Sequence, residues 1–126
     1  MNILIVDDYP ENRYLLRVLL EGKKHQVSEA QNGKEALVQL AEKDIQVIVS
    51  DVLMPEMDGF ELCRKCKTDK QYQQIPFIFY TATYTEQEDE EFALELGADG
   101  FIKKPIEPDK LVEQIEQILK KYAENG

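Results

Sequence analysis

Acidic, hydroxyl and basic side chains follow four of the apolar runs in this sequence of 126 residues. The first run ends at Asp7 and Asp8, the third at Asp51 and the fourth at Thr81, and the fifth is followed by Lys103 and Lys104. If these runs are strands of one parallel sheet, their carboxyl ends share an edge, which is where ligands bind in such sheets. Three carboxylates, a hydroxyl and an ammonium are therefore expected to converge.

Three carboxylates, a hydroxyl and an ammonium are the groups that a phosphoryl-transfer site needs. Neighbouring carboxylates repel one another and need a cation. Mg²⁺ prefers oxygen ligands and typically takes one or two carboxylates while it keeps waters and a phosphate oxygen. A central aspartate can itself be the nucleophile and carry the phosphoryl group. The alternative is that each acid only caps a helix or begins a turn, which explains any single acid but requires a coincidence at four separate loops.

The spacing of apolar residues predicts five strands that alternate with five helices. The strands are expected at residues 3–7, 26–30, 47–51, 76–81 and 100–102. The helices are expected to begin at Pro10, after Asn32-Gly33, near Gly59, at the capping-box spacing from Thr85 to Glu88, and at Pro108. This (βα)5 pattern predicts an α/β fold with helices on both faces of a doubly wound parallel sheet, in one domain over residues 1–126. The polar second strand is expected at an edge.

Apolar residues at helical spacing predict which face of each helix is buried. The predicted stripes are Leu15, Leu16, Leu19 and Leu20 in the first helix; Ala36, Leu37, Leu40 and Ala41 in the second; Phe92, Ala93 and Leu96 in the fourth; and Leu111, Val112, Ile115, Ile118, Leu119 and Tyr122 in the fifth.

Composition and charge exclude several classes of protein. A formal net charge of −10 argues against direct binding to nucleic acid or to an anionic membrane surface. No apolar run reaches the length of a membrane span and no basic leader follows Met1, so a cytoplasmic protein is expected. Cys63 and Cys66 lie within a predicted helix, with only His25 as a further soft metal ligand, so reduced thiols are expected rather than a zinc site.

Four motifs together resemble the receiver domain of two-component response regulators. They are Val6-Asp7-Asp8; Asp51-Val52-Leu53-Met54-Pro55 followed by Asp58-Gly59; Thr81-Ala82; and Lys104-Pro105. The motifs fall in the family's order and spacing, and the resemblance covers nearly the whole chain. It implies the flavodoxin-like fold with strand order 2-1-3-4-5, an order for which a receiver serves as a standard example.

The resemblance implies a role for each acidic position. Asp51 matches the phosphoacceptor, Asp8 the direct ligand of Mg²⁺ (or Mn²⁺), and Asp7 the acid that holds the metal through water. The metal set would be completed by Asp51 itself and by the backbone carbonyl of Leu53, two residues after the acceptor.

The resemblance also assigns the residues that follow the last two strands. Thr81 matches the hydroxyl that moves to the phosphoryl oxygen, and Phe101 matches the aromatic that rotates on activation. Lys104, rather than Lys103, matches the lysine that pairs with the acceptor, and the bond to Pro105 is one that is commonly cis in the family. The spacing from Asp7 to Arg13 resembles receivers fused to hybrid histidine kinases more than stand-alone receivers.

The function implied is a phosphorylation-dependent switch. The expected phosphoryl donor is a histidine kinase or a histidine phosphotransfer protein, and the expected output is a downstream protein partner or a fused output domain. The chain would catalyse its own phosphorylation and slow dephosphorylation, with no turnover of a diffusible substrate. The open alternative is a pseudo-receiver, an interaction module that phosphorylation does not control; it usually lacks an acceptor, acid or lysine, and here all are present.

Three other classes fit the residues less well. A haloacid-dehalogenase-like phosphatase needs a second aspartate two residues after the nucleophile, where this chain has Leu53. A flavodoxin-like FMN protein has a first loop rich in serine and threonine, whereas Asp8-Tyr9-Pro10-Glu11 would repel a phosphate. A dinucleotide-binding domain needs a glycine-rich first turn, which the sequence lacks.

Overall fold

The computed structural model describes residues 1–104 and 107–125, and five strands alternate with five helices. The elements are β1 (Asn2–Val6), α1 (Pro10–Gly22), β2 (Gln26–Ala30), α2 (Gly33–Glu42), β3 (Val47–Ser50), α3 (Gly59–Lys67), β4 (Phe77–Thr81), α4 (Gln87–Glu95), β5 (Gly100–Lys103) and α5 (Pro108–Asn125). The (βα)5 prediction is confirmed. Strands β1 and β3 each end one residue earlier than predicted, so that Asp7 and Asp51 lie just beyond them.

The five strands form one parallel sheet in the order β2-β1-β3-β4-β5. This confirms the flavodoxin-like order 2-1-3-4-5 and the edge position of β2. The strand order reverses between β1 and β3, and the crevice beyond their carboxyl ends is where ligands bind in sheets of this kind. Asp7 and Asp51 follow these two strands directly.

Each face of the sheet is covered by helices, which explains why the strand sequences are apolar without alternation. Leu4 and Val6 of β1 pack with residues of α2, α3 and α4, whereas Ile3 and Ile5 pack with residues of α1 and α5. The central strands β1, β3 and β4 are almost completely buried between the two layers of the core. The ends of the strands are consequently held rigidly.

Three residues of the predicted buried stripes are exposed, namely Leu15, Phe92 and Ala41. Leu15 is 54% exposed, because only Leu16 and Leu20 of α1 face the sheet directly, and Leu15 lies on the flank of the helix along a cleft. Phe92 is 47% exposed, because one edge of its ring packs on Phe60 and the rest faces solvent. The predicted burial of these side chains was wrong, since the buried stripe of each helix is narrower than the run of apolar residues.

The remaining helix predictions differ from the structure in small ways. Ala41 is exposed at the far flank of α2. The capping box of α4 lies one residue later than Thr85, because the carboxylate of Asp89 accepts a hydrogen bond from the Glu86 backbone N–H at 3.1 Å. None of the helices in the described part of the chain has the length and apolarity that a bilayer crossing requires.

Cys63 and Cys66 are free thiols buried in α3. Burial raises the pKa of Cys63 to about 12 and that of Cys66 to about 11, so both remain protonated at pH 8. Since the thiolate is the reactive form, we expect both thiols to resist iodoacetamide at pH 8 in the native protein and to react fully in denaturant. Mass spectrometry after timed labelling measures this, and rapid native labelling would contradict the tight packing of α3.

Candidate functional site

Two aspartates meet at the switch point because their strands are paired in register. Val6 is the partner of Ser50 across β1 and β3, and the Asp51 backbone N–H donates to the Val6 carbonyl at 2.9 Å. The side chains of Asp7 and Asp51 are both nearly buried, with residue exposures of 5% and 9%. Two carboxylates therefore stand side by side with little access to water.

Lys104 brings a positive charge close to the carboxylates of Asp7 and Asp51. Its backbone N–H donates to the Thr81 carbonyl at 2.8 Å, which fixes the chain just beyond β5. Its Nζ lies 3.7 Å from Asp7 Oδ2 and 3.8 Å from Asp51 Oδ2. One ammonium thus faces two carboxylates, and a further cation is needed to balance the site.

Asp7 is held in place by its neighbours in the loop. Its Oδ1 accepts a hydrogen bond from the Tyr9 backbone N–H at 2.9 Å, and its Oδ2 accepts one from Asn12 Nδ2 at 3.2 Å. Burial raises the pKa of Asp7, although these hydrogen bonds and the charge of Lys104 act in the opposite direction. Desolvation of the carboxylate is the larger effect, which again indicates that negative charge at this edge is under-compensated.

Asp8 provides an acceptor that the surrounding protein does not use. Within residues 1–104 and 107–125, its buried Oδ1 has no hydrogen-bond partner. An orphaned carboxylate oxygen in the loop that carries Asp7 fits a hard divalent cation. No three acidic, histidine or cysteine side chains of the described residues form a ready-made metal cage.

Asp51 is fixed by hydrogen bonds to its backbone and to one carboxylate oxygen. Its Oδ1 accepts from the Val52 backbone N–H at 2.7 Å, and Ser50 Oγ donates to its carbonyl at 2.8 Å. The start of α3 is held against this loop, because the Gly59 N–H donates a hydrogen bond to the Val52 carbonyl at 2.7 Å. The other carboxylate oxygen of Asp51, Oδ2, faces Lys104. The carboxylate is therefore presented in one orientation with one oxygen directed into the site.

Thr81 lies at the end of β4 and is fully buried. Its Oγ1 accepts hydrogen bonds from the backbone N–H groups of Thr83 at 3.2 Å and of Tyr84 at 3.5 Å. Phe101, one strand away, is partly buried, and its ring centroid lies 5.9 Å from that of Phe79. Thr81 and Phe101 thus lie on the neighbouring strands β4 and β5.

The other predicted site residues fall in or beside the same loops. The Leu53 side chain is 52% exposed, so the residue follows Asp51 on the open side of the crevice. Lys103 points away from the site and forms an ion pair with Glu90 at 3.5 Å. The predicted cis bond at Pro105 lies outside the described residues.

Three residues support the site although no structural role was predicted for them from the sequence. Asn12 Nδ2 donates a hydrogen bond to the Asp7 carboxylate. Arg13 Nη1 donates to the Asp7 carbonyl at 2.6 Å, and Arg13 Nε donates to Glu29 Oε1 at 3.1 Å. The ring of Tyr80 lies beneath the Lys104 ammonium. Asn12 and Arg13 lie in the first turn of α1, five and six residues after Asp7, and side chains at the start of a helix can reach back to the preceding loop.

The fold and the site together define a class, that of flavodoxin-like α/β domains with an acidic site where β1 and β3 end. The family model of the response regulator receiver domain matches residues 3–116 of this chain. The chain belongs to the receiver-domain family of two-component response regulators.

Individual relatives are consistent with this membership. An uncharacterized 14.6 kDa protein of Leptolyngbya boryana is 42% identical over 117 residues, which cover 93% of this chain and 88% of that protein. The response regulator SaeR of Staphylococcus aureus is 38% identical over 124 residues. That match covers 96% of this chain and 53% of SaeR, so the chain spans about half of that relative's length.

Solved structures show the same fold. The signal receiver domain of a signal transduction histidine kinase from Syntrophus aciditrophicus superposes with a TM-score of 0.85 at 38% identity, covering 95% of this chain and 90% of that one. A CheY-like response regulator receiver domain from Methanospirillum hungatei gives a TM-score of 0.89 at 30% identity, covering 99% and 98%.

Proposed function

We propose that this chain is a phosphorylation-dependent switch that accepts a phosphoryl group on Asp51 and then changes its interaction surface. The donor would be a histidine kinase or a histidine phosphotransfer protein, and the reader a downstream partner or a fused output domain. The observation that carries the proposal is the position of Asp51 Oδ2, which faces Lys104 Nζ at 3.8 Å beside Asp7 at the switch point. Membership of the receiver family supports the same role.

The residues of the site suit attack by a carboxylate on phosphorus. Asp51 Oδ2 would form the new O–P bond while the P–N bond to the donor imidazole breaks, and the imidazole leaves with the electron pair and takes up a proton. The Val52 N–H holds Oδ1 and so aims Oδ2 at the incoming group. Lys104 is placed to follow the charge from the carboxylate to the phosphoryl oxygens.

The residues that would hold the metal are Asp8 directly, Asp7 through water, Asp51 and the Leu53 carbonyl. The orphaned Oδ1 of Asp8 supports this assignment. When bound, Mg²⁺ or Mn²⁺ supplies the positive charge that the transferring phosphoryl group requires.

Incubation with acetyl phosphate and Mg²⁺ tests the proposal without knowledge of the natural kinase. We expect intact-mass spectrometry to detect one added phosphoryl group, which hydroxylamine removes because it is an acyl phosphate. Chelation of the metal should prevent the addition. A chain that stays unmodified with acetyl phosphate and also with phosphoramidate would instead be an interaction module outside phosphorylation control.

Metal binding is expected to stabilise the fold through Asp8. A ligand present at about 100 times its Kd adds about 2.7 kcal/mol to the free energy of unfolding, or roughly 10 °C in Tm for a domain of this size. In Asp8→Ala the Mg²⁺-dependent rise should vanish, whereas the exposed control Asp44→Ala should keep it. Thermal melts with and without Mg²⁺ provide the measurement, and an unchanged response in Asp8→Ala would refute the ligand assignment.

Thr81 is the proposed relay from phosphate to surface. To reach a phosphoryl oxygen its hydroxyl must leave the Thr83 and Tyr84 N–H groups, and one charge-assisted bond worth about 1.5–3 kcal/mol favours the move. That energy shifts a two-state population by roughly tenfold or more. Thr81→Ala is expected to accept phosphate yet lose the accompanying shifts in the NMR resonances of Phe101 and of α5.

The exposed Thr83 in the same loop provides the control for this test. Thr83→Ala keeps the Thr81 hydroxyl and is expected to retain the phosphate-dependent shifts. Persistence of the shifts in Thr81→Ala would mean that the signal reaches α5 by another route.

A further inference from the structure

Tyr80 places an aromatic ring against the ammonium of Lys104. The Nζ atom lies 4.6 Å from the ring centroid. Tyr80 is on the face of β4 that packs toward α1 and α5, and it lines a cleft between these helices together with Leu16 and Leu111. A cation within about 6 Å of a ring face is attracted by the ring quadrupole, most strongly where water is excluded.

The carboxylates alone hold this ammonium loosely. The distances from Nζ to Asp7 Oδ2 and Asp51 Oδ2, 3.7 and 3.8 Å, exceed the roughly 2.7–2.9 Å of a close charge-assisted hydrogen bond. The lysine side chain is nevertheless only 16% exposed. Because a flexible four-carbon stem loses rotamer entropy when its end is fixed, a well-defined ammonium position requires a further partner. Among the described residues, the Tyr80 ring is in position to be that partner.

We propose that Tyr80 is a positioning residue for phosphoryl transfer, whose ring face holds the Lys104 ammonium between Asp7 and Asp51. The inference rests on the proposed phosphoacceptor function. The charge and shape of the Asp51 side chain change when it carries a phosphoryl group, whereas the ring does not change. The ring therefore supports Lys104 both before and after transfer. Its aromatic face is the required part, so phenylalanine can replace tyrosine and leucine cannot.

The position of the ammonium can be measured by NMR without any phosphoryl transfer. Protons held over a ring face are shifted upfield by the ring current, so the ε-methylene and ammonium protons of Lys104 are expected upfield of those of Lys103. Lys104→Met assigns the signals. The upfield shift should persist in Tyr80→Phe and disappear in both Tyr80→Leu and Tyr80→Met. Lys103, which pairs with Glu90, provides an internal control.

The kinetic test measures the rate of phosphorylation by acetyl phosphate at saturating Mg²⁺. We expect Tyr80→Leu and Tyr80→Met to slow the reaction by roughly threefold to thirtyfold, the range that one cation–π contact represents, and Tyr80→Phe to recover most of the rate. Tyr14→Leu, at an exposed tyrosine of α1, should match the unmodified chain. Two apolar replacements are used so that a misfolded variant, identified by its Tm, does not decide the outcome.

The outcomes separate this inference from the proposed function. Lys104 protons without an upfield shift in the unmodified chain overturn the inference, whether or not Asp51 accepts phosphate. Unchanged phosphorylation rates in both apolar variants overturn it as well. If the chain takes up no phosphate but shows the ring-current shift, the proposed function is refuted, whereas the position of the Lys104 ammonium over the Tyr80 ring is supported. Loss of shift together with loss of rate, both restored in Tyr80→Phe, supports the inference.

Discussion

Asp51→Asn is expected to abolish phosphoryl uptake from acetyl phosphate. The amide is nearly isosteric with the carboxylate, and its oxygen can keep the hydrogen bond from the Val52 N–H. It carries no negative charge, and its nitrogen would replace the oxygen that faces Lys104, so there is no nucleophile to form the O–P bond. The expected result is a complete loss of the added mass with a Tm within a few degrees of the unmodified chain.

Asp58→Asn is the matched control for that experiment. Asp58 is exposed, lies in the same β3–α3 loop and caps α3 by accepting from the Glu61 N–H at 2.8 Å. Asparagine caps helices about as well as aspartate, so this variant changes charge without changing structure. It should take up phosphate normally. If Asp51→Asn still gains the mass of a phosphoryl group, another residue is the acceptor, and peptide mapping would identify it.

The sequence predicted the strand ends well because the strands are buried on both faces. The sequence of a strand that packs against helices on each side is an unbroken apolar run, and the first polar residue marks the end of the strand. The sequence alone therefore places Asp7 and Asp51 at one edge of the sheet. The predicted ends were wrong by one residue in β1, β3 and β5. In β1 and β3 the paired residues end at Val6 and Ser50, although the Asp7 and Asp51 N–H groups still donate to the neighbouring strands.

The helix faces were predicted less well because apolar periodicity does not give the width of the buried stripe. Leu15 and Phe92 fit the helical pattern, but each lies on a flank where the neighbouring helix covers only part of the side chain. Flank burial depends on the angle and distance between helices, which a sequence does not state. The contact between Tyr80 and Lys104 was not predicted either, because it depends on how the chain turns just beyond β5 and where the lysine side chain then lies.

Gly59 positions Asp51 through the close approach of two backbones, and its replacement by alanine is expected to have a large effect on stability. A Cβ built at Gly59 lies 3.0 Å from Phe79 Cε1 and from Val52 Cα, and it lies closest of all to the Asp51 carbonyl oxygen, with which it would clash. Side chains can move aside, but a carbonyl that accepts from Ser50 Oγ at the end of a central strand cannot. The first turn of α3 would therefore have to shift away from β3.

That shift carries costs in both packing and hydrogen bonding. Overpacking a core costs about 1–3 kcal/mol, and loss of the bond from the Gly59 N–H to the Val52 carbonyl adds about 1 kcal/mol. We expect Gly59→Ala to lower the free energy of unfolding by about 2–4 kcal/mol, or roughly 10–15 °C in Tm. Phosphoryl uptake should also slow, because the displaced turn of α3 would lose the hydrogen bond that fixes Val52, whose N–H orients the Asp51 carboxylate.

Gly22→Ala separates this steric effect from the general effect of adding a methyl group to a glycine. Gly22 is the last residue of α1, and a Cβ there meets nothing within 4 Å. Because alanine is favoured over glycine in a helix by up to about 1 kcal/mol, this variant should be neutral or slightly more stable. Urea unfolding of both variants measures the difference. Equal stabilities would mean that α3 can move away from β3 at no cost, and that Gly59 does not fix the position of Asp51.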